Sequence, residues 1–287
     1  MEYNDAVIGL NATSGMELWR FRPDVSIWNF MASFPGDGTV VYQDLEGRTY
    51  RHRLRDGELL WKVGGGPKGY WTDGTATLGA NGVVYAVNTF ADSAHGTADT
   101  NGELSAYRLE DGTLLWRVTT PRPPNNAPAV GRLHGRSGLS VVQPMGQQVH
   151  RGAPTSVVAY DAGNGSVQWE YDGPRQEGLF QAADWEGMLE RVVAGVRPIC
   201  LPNPWSAPTI DAAGTVFIGN QDGLFVALRD LDGDGRVAGE AEVSSYDTKA
   251  CFAGSAGPSV APGLVAVASC DSLFVFRRSE SPGAAAA

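Results

Sequence analysis

A five-residue phrase, glycine followed four residues later by tryptophan, occurs four times in this 287-residue chain and restricts its fold more than any other feature. The copies are Gly15–Trp19 (GMELW), Gly57–Trp61 (GELLW), Gly112–Trp116 (GTLLW) and Gly165–Trp169 (GSVQW). With 8 Trp and 37 Gly in the chain, chance accounts for about one such match. Each copy closes a polar turn (Asn11–Gly15, Arg55–Gly57, Glu110–Gly112 or Asp161–Gly165) that follows a strand-like run. This is β-hairpin grammar: Gly supplies positive φ, and Asp or Asn bonds the local backbone. The tryptophans fall 42, 55 and 53 residues apart, intervals that suit a blade with variable loops better than the shorter, fixed periods of helical repeats.

The inner half of the unit is also legible. Strand-like runs at Val83–Val87, Thr215–Gly219 and Leu264–Ala268 precede runs at Leu104–Tyr107, Leu224–Leu228 and Leu273–Phe276. Upstream segments at Ser206–Ile210 and Pro258–Val260 add a third strand, and the Trp-bearing strand makes a fourth. Four antiparallel strands per unit is the blade of a propeller. A β-sandwich with scattered tryptophans has no reason to keep the Gly-to-Trp interval. Composition agrees, since 37 Gly, 17 Pro and 43% apolar residues suit many short strands and tight turns. At this length a single core is near its limit, which stacked small cores avoid.

These phrases resemble the repeat of the PQQ-like (quinoprotein alcohol dehydrogenase-like) β-propeller superfamily, in which an Ala-Tyr/Leu-Asp strand end, a Thr/Ser/Asp-Gly turn and an outer-strand Trp recur. The resemblance runs from about Asp5 to Arg278 and implies an all-β propeller domain over residues 1–278, built from about six blade-sized repeats. It also implies that Trp19, Trp61, Trp116 and Trp169 dock between adjacent blades, while Trp28, Trp71, Trp185 and Trp205 are expected to vary in burial. The first repeat starts at its third strand and the last stops after its third, so a fragment of a larger ring is expected. Residues 279–287 read as a disordered tail. An insertion at Arg175–Cys200 carries one helical pattern, Leu179–Ala194, and Phe90–Gly102 reads as a polar recognition loop.

One string carries metal chemistry. Asp230-Leu-Asp232-Gly-Asp234-Gly235-Arg236-Val237 places three carboxylates at alternate positions, a glycine sixth and a backbone carbonyl seventh, which is a calcium-loop pattern. It resembles the EF-hand loop over its first eight positions but departs at the twelfth, Ala241, which Glu240 and Glu242 flank. The expected ligands are Asp230, Asp232, Asp234, the Arg236 carbonyl and one of Glu240 or Glu242, in a structural role.

A catalytic constellation is not visible. The resemblance to quinoprotein dehydrogenases implies a vicinal Cys-Cys pair against the quinone, but Cys200, Cys251 and Cys270 stand far apart, so PQQ binding is not expected. A Cys200–Cys270 bridge between neighbouring blades stays open, beside three small buried thiols. His52, His95, His134 and His150 lie in separate repeats and read as surface or strand-end residues. The net charge of −10 and the absence of a Lys/Arg cluster argue against nucleic acid. No apolar run is long enough to span a membrane, and Met1 is followed by polar residues, so an extracytoplasmic location would require residues upstream. The function expected is a scaffold or binding module that presents a propeller face to a protein or glycan ligand. The alternative is a PQQ-dependent dehydrogenase-like oxidoreductase or another propeller-fold enzyme.

Overall fold

The computed structural model describes residues 5–27, 31–66, 70–72, 76–90, 101–124, 126–147, 151–177, 193–195, 204–252, 257–269 and 272–277. They form six antiparallel sheets in chain order. The first holds β1 (Val7–Leu10) and β2 (Glu17–Phe21); the second holds β3 (Thr39–Gln43), β4 (Arg48–Arg53) and β5 (Leu59–Gly64). In the third are β6 (Thr77–Leu78), β7 (Val83–Thr89), β8 (Gly102–Arg108) and β9 (Leu114–Thr120). The fourth comprises β10 (Ala129–Gly131), β11 (Ser140–Gly146), β12 (Thr155–Asp161) and β13 (Val167–Gly173). β14 (Thr209–Ile210), β15 (Val216–Gly219), β16 (Leu224–Leu228) and β17 (Val243–Asp247) make the fifth, and β18 (Ser259–Ala261), β19 (Leu264–Ala268) and β20 (Leu273–Arg277) the sixth. Strand order follows the chain within every sheet, and β10 touches both β6 and β14, so the first strands of neighbouring sheets lie side by side. This is the blade sequence of a propeller.

The core is divided among the junctions between sheets. Because side chains alternate along a strand, β7 sends Val83, Tyr85 and Val87 into one cluster, with Val141 and Met145 of β11. Its Val84 and Ala86 go into another, with Val41 and Trp61. On β11 the same alternation puts Val142 with Trp169, Val216 and Leu228 in the next cluster. β3, β7 and β11 are therefore buried along their whole length, mostly apolar but with Gln43, Asn88 and Gln143 buried among them. Two more clusters complete the set, one around Tyr42 and Tyr50 and one around Phe225 and Phe252.

The repeated phrase has a geometric basis. In each of its four hairpins the Gly N–H donates to the carbonyl four residues back, and one closing bond seals the turn, as from the Arg108 N–H to the Thr113 carbonyl at 2.8 Å. The register then slips by one residue just before the Trp, so that Leu18, Leu60, Leu115 and Gln168 are bulged out. A bulge bends the strand and re-aims the residue that follows. The indoles of Trp19, Trp61 and Trp116 donate to the carbonyls of Leu54, Leu109 and Ala162 in the next sheet, at 2.7, 2.9 and 3.0 Å. The blade-to-blade docking implied by the resemblance is thus observed for these three, and Trp169 is buried in the junction between the fourth and fifth sheets. Of the other tryptophans, Trp205 is buried and Trp71 half-buried, while Trp28 and Trp185 lie outside the described residues.

The longest helix among the described residues is the single turn Gly239–Glu242, and none is long and apolar enough to cross a membrane. Apart from residues 193–195, the helix expected at Leu179–Ala194 lies outside the described residues, as do most of the Phe90–Gly102 loop, the tail, Cys200 and Cys270. Cys251 is buried.

Candidate metal centre in the fifth sheet

In the fifth sheet the short turn is replaced by a long one. The Arg229 N–H donates to the Glu242 carbonyl at 3.0 Å, the closing bond found in the other hairpins, but residues 230–241 now lie between them. Here β16 and β17 pair without a register slip, and Ser244 takes the place of the tryptophan opposite Ala227.

The loop is folded by its own side chains. Asp230 Oδ1 accepts from the Gly233 N–H (2.8 Å), Asp232 Oδ1 from Asp234 (3.1 Å) and Asp234 Oδ1 from Arg236 (2.7 Å). Gly233 and Gly235 have φ of +76° and +86°, the left-handed conformation that such a tight loop requires. These turns bring one oxygen each of Asp230, Asp232 and Asp234 within 4.8 Å of one another. A set of carboxylate oxygens at that separation suits a hard cation such as Ca²⁺. Asp232 and Asp234 face solvent, whereas the Asp230 side chain is only 2% exposed and pairs through Oδ2 with Arg136 at 2.8 Å.

Glu242 and Glu240 lie outside that trio. The Glu242 carboxylate folds back across the loop, Oε1 accepting from the Leu231 N–H (2.7 Å) and Oε2 from the Ala238 N–H (3.0 Å). These donors, Ala238 foremost, hold it below the usual carboxylate range. Glu240 is exposed on the helical turn, as is Ala241. The Arg236 residue joins the loop to the fourth sheet: Arg236 and Glu170 form a parallel bridge, Glu170 N–H donates to Gly235 (3.1 Å) and Val237 N–H donates to Glu170 (3.0 Å). Arg236 also pairs with Asp172 at 3.0 Å. Between the loop and β13 lies an open cleft of about 480 Å³.

Sequence reasoning missed two of these residues. Arg136 comes from a turn 94 positions away and has no local signature, and Glu170 acts through its backbone. Of the histidines expected at the surface or at strand ends, His52 is the penultimate residue of β4 and is fully buried, which rules out the surface alternative for it. Its Nδ1 donates to the Gly57 carbonyl (3.0 Å), which leaves Nε2 to accept from the Tyr42 hydroxyl (3.0 Å). Burial pushes its pKa down, so it is a neutral core residue among Tyr42, Tyr50 and Phe21. His134 is exposed, and His95 and His150 lie outside the described residues.

A family model described as outer membrane protein assembly factor BamB matches residues 2–284. The chain belongs to this PQQ-type propeller family. No curated protein sequence matches it. Among solved structures, the family member BamB from Moraxella catarrhalis superposes with a TM-score of 0.59 at 15% identity, covering 96% of this chain and 65% of its own. A quinohemoprotein alcohol dehydrogenase from Comamonas testosteroni gives 0.55 at 13% identity, covering 92% and 48%. A second, from Pseudomonas putida HK5, gives 0.53 at 17% identity, covering 93% and 48%. The chain thus spans under two thirds of the length of one relative and about half of the others. At such identities the superpositions establish the shared fold, which is found both in an assembly factor and in dehydrogenases.

Proposed function

We propose that this chain is a non-catalytic propeller scaffold that presents its surface to a protein partner, with a calcium ion held in the long loop of the fifth sheet. The observation that carries the scaffold reading is the use made of the repeat. Three of its four tryptophans donate to the backbone of the next blade and the fourth is buried at a junction, so the repeated phrase serves cohesion. The match to an assembly-factor family supports a protein partner. The three cysteines are never adjacent in sequence, which leaves a quinone without the vicinal thiols implied by the dehydrogenase resemblance.

For calcium, the supporting observation is the trio of carboxylate oxygens. Asp230, Asp232, Asp234 and the Arg236 carbonyl would hold the ion, with Glu240 or Glu242 as the further ligand. Three carboxylates in one turn repel each other, and a divalent ion offsets that repulsion where Arg136 alone reaches only Asp230. The role is to fasten a hairpin.

The enzymatic alternative is tested by incubating the purified chain with PQQ and calcium, removing free quinone and recording the absorption spectrum, followed by alcohol-dependent dye reduction. No retained quinone and no turnover are expected. Stoichiometric quinone with alcohol-dependent reduction would replace the scaffold reading by the oxidoreductase one.

A further inference from the structure

Along β13 the backbone groups of alternate residues point away from β12, because antiparallel partners exchange hydrogen bonds only at every second pair. Glu170 is one of the outward residues, since both its N–H and its carbonyl bond to the loop of the fifth sheet, so Gln168 and Asp172 are outward as well. The Gln168 carbonyl accepts from Arg136 at 3.2 Å. Among the described residues nothing pairs with the backbone N–H and carbonyl of Asp172. The loop lies parallel to β13 for one bridge, Arg236 to Glu170, and then turns off through Ala238 into the Gly239–Glu242 helical turn. A fifth strand has been started on this sheet and abandoned after one residue.

The position it abandons is the cleft of about 480 Å³, a size that receives small ligands and short peptide segments. Its apolar wall is Tyr171, Val237 and Val243; its charged residues are Glu170, Asp172, Glu240 and Arg236. Arg236 is already committed to Asp172 and Glu170 faces Arg122 at 3.4 Å. Glu240 has no ion pair among the described residues and is exposed. The cleft therefore combines an open strand edge, an apolar seat and excess negative charge.

We propose that this cleft seats an extended peptide segment of a partner protein, added beside β13 at Asp172 and carrying a basic residue toward Glu240. The edge supplies two backbone hydrogen bonds, the apolar wall takes one side chain of the guest, and the carboxylates select a lysine or arginine over an acidic residue. This rests on the protein-partner reading and gives it a location.

The test uses the whole 287-residue chain and a blocked Val-Lys-Val-Lys-Val peptide, followed by titration calorimetry, with the Val-Glu-Val-Glu-Val peptide as counterpart. Saturable binding of the lysine peptide alone is expected, weakened by salt. With chelator present throughout, so that calcium does not contribute, Ala238→Trp, at an exposed position on the cleft wall, should abolish it, and Glu240→Lys should weaken it about tenfold, both with the melting temperature of the wild type in chelator. Failure of the wild type to bind the lysine peptide, or equal binding by Ala238→Trp, overturns the proposal, including the case in which another part of this chain covers the cleft. The two readings fail separately: loss of peptide binding with no quinone uptake removes the cleft and keeps the scaffold, whereas quinone-dependent turnover removes the scaffold reading whatever the peptide does.

Discussion

Three glycines of the repeated phrase, Gly57, Gly112 and Gly165, meet two demands, and only one of them concerns the turn itself; Gly15 meets the turn demand alone. Gly112 has φ of +75°, which a side chain resists by about 1–2 kcal/mol. It also lies under the tryptophan of the preceding sheet: a methyl group there would come within 2.9 Å of Val63 and 3.1 Å of Trp61. Gly57 stands in the same relation to Trp19, and Gly165 to Trp116. The phrase is thus read across blades, with Trp19, Trp61 and Trp116 each resting on the next copy's Gly. Trp61→Ala should lose about 3–5 kcal/mol in urea unfolding, the range for a truncated buried aromatic. Gly112→Ala should lose at least the ~1–2 kcal/mol of the backbone effect, through the same junction. A Trp61→Ala chain within about 1 kcal/mol of wild type would contradict the docking. The interval was visible in the sequence because turn, closing bond and bulge all act within a few residues; its cross-blade purpose was not.

At the scale of one element, the loop at residues 230–241 shows how a hairpin can be lengthened while its closing bond is kept. Its extra residues reach back to the fourth sheet, and Val237 joins the cluster around Trp169 where other blades use a turn glycine. Calcium should tighten this attachment. With the trio incomplete as an EF-hand and Arg136 already on Asp230, affinity in the range of extracellular modules is expected, Kd on the order of 10⁻⁴ M. At ~10 mM calcium, linkage then gives about 2.7 kcal/mol, or a Tm rise of roughly 5–10 °C for a chain of this size. Thermal melts in calcium and in chelator should differ by that amount for wild type and coincide for Asp232→Ala combined with Asp234→Ala. Coincident melts for wild type would remove calcium from the loop. The carboxylates were legible in the sequence because alternation sets them on one side of a turn by local spacing. Glu242's folding back across the loop was not, since it depends on the donors that the finished loop presents.

For the whole molecule, stability is distributed over stacked junctions, and it is not distributed evenly. β7 and β11 are buried throughout, with sheets on both sides. The end sheets expose Ile8, Leu10 and Leu18 on one side and Leu273 and Val275 on the other. Backbone amides covered on one side open more readily than those covered on both. Hydrogen exchange followed by mass spectrometry should therefore show the slowest amides in β7, β8, β11 and β12 and much faster exchange in β1, β2 and β20. Uniform protection would mean that the sheets open as one unit.

The sequence by itself determined the blade, because a hairpin turn, a bulge and strand alternation depend on residues a few positions apart and on backbone sterics. It also placed three carboxylates in one turn for the same reason. Only the tertiary structure decided what those pieces meet. Arg136 reaches Asp230 across 94 positions, His52 is neutral because two sheets close over it, and among the described residues the Asp172 edge is left unpaired because the loop turns away one residue too soon. Such contacts depend on how successive sheets are spaced and rotated, a property of the packed stack that no local pattern of residues encodes.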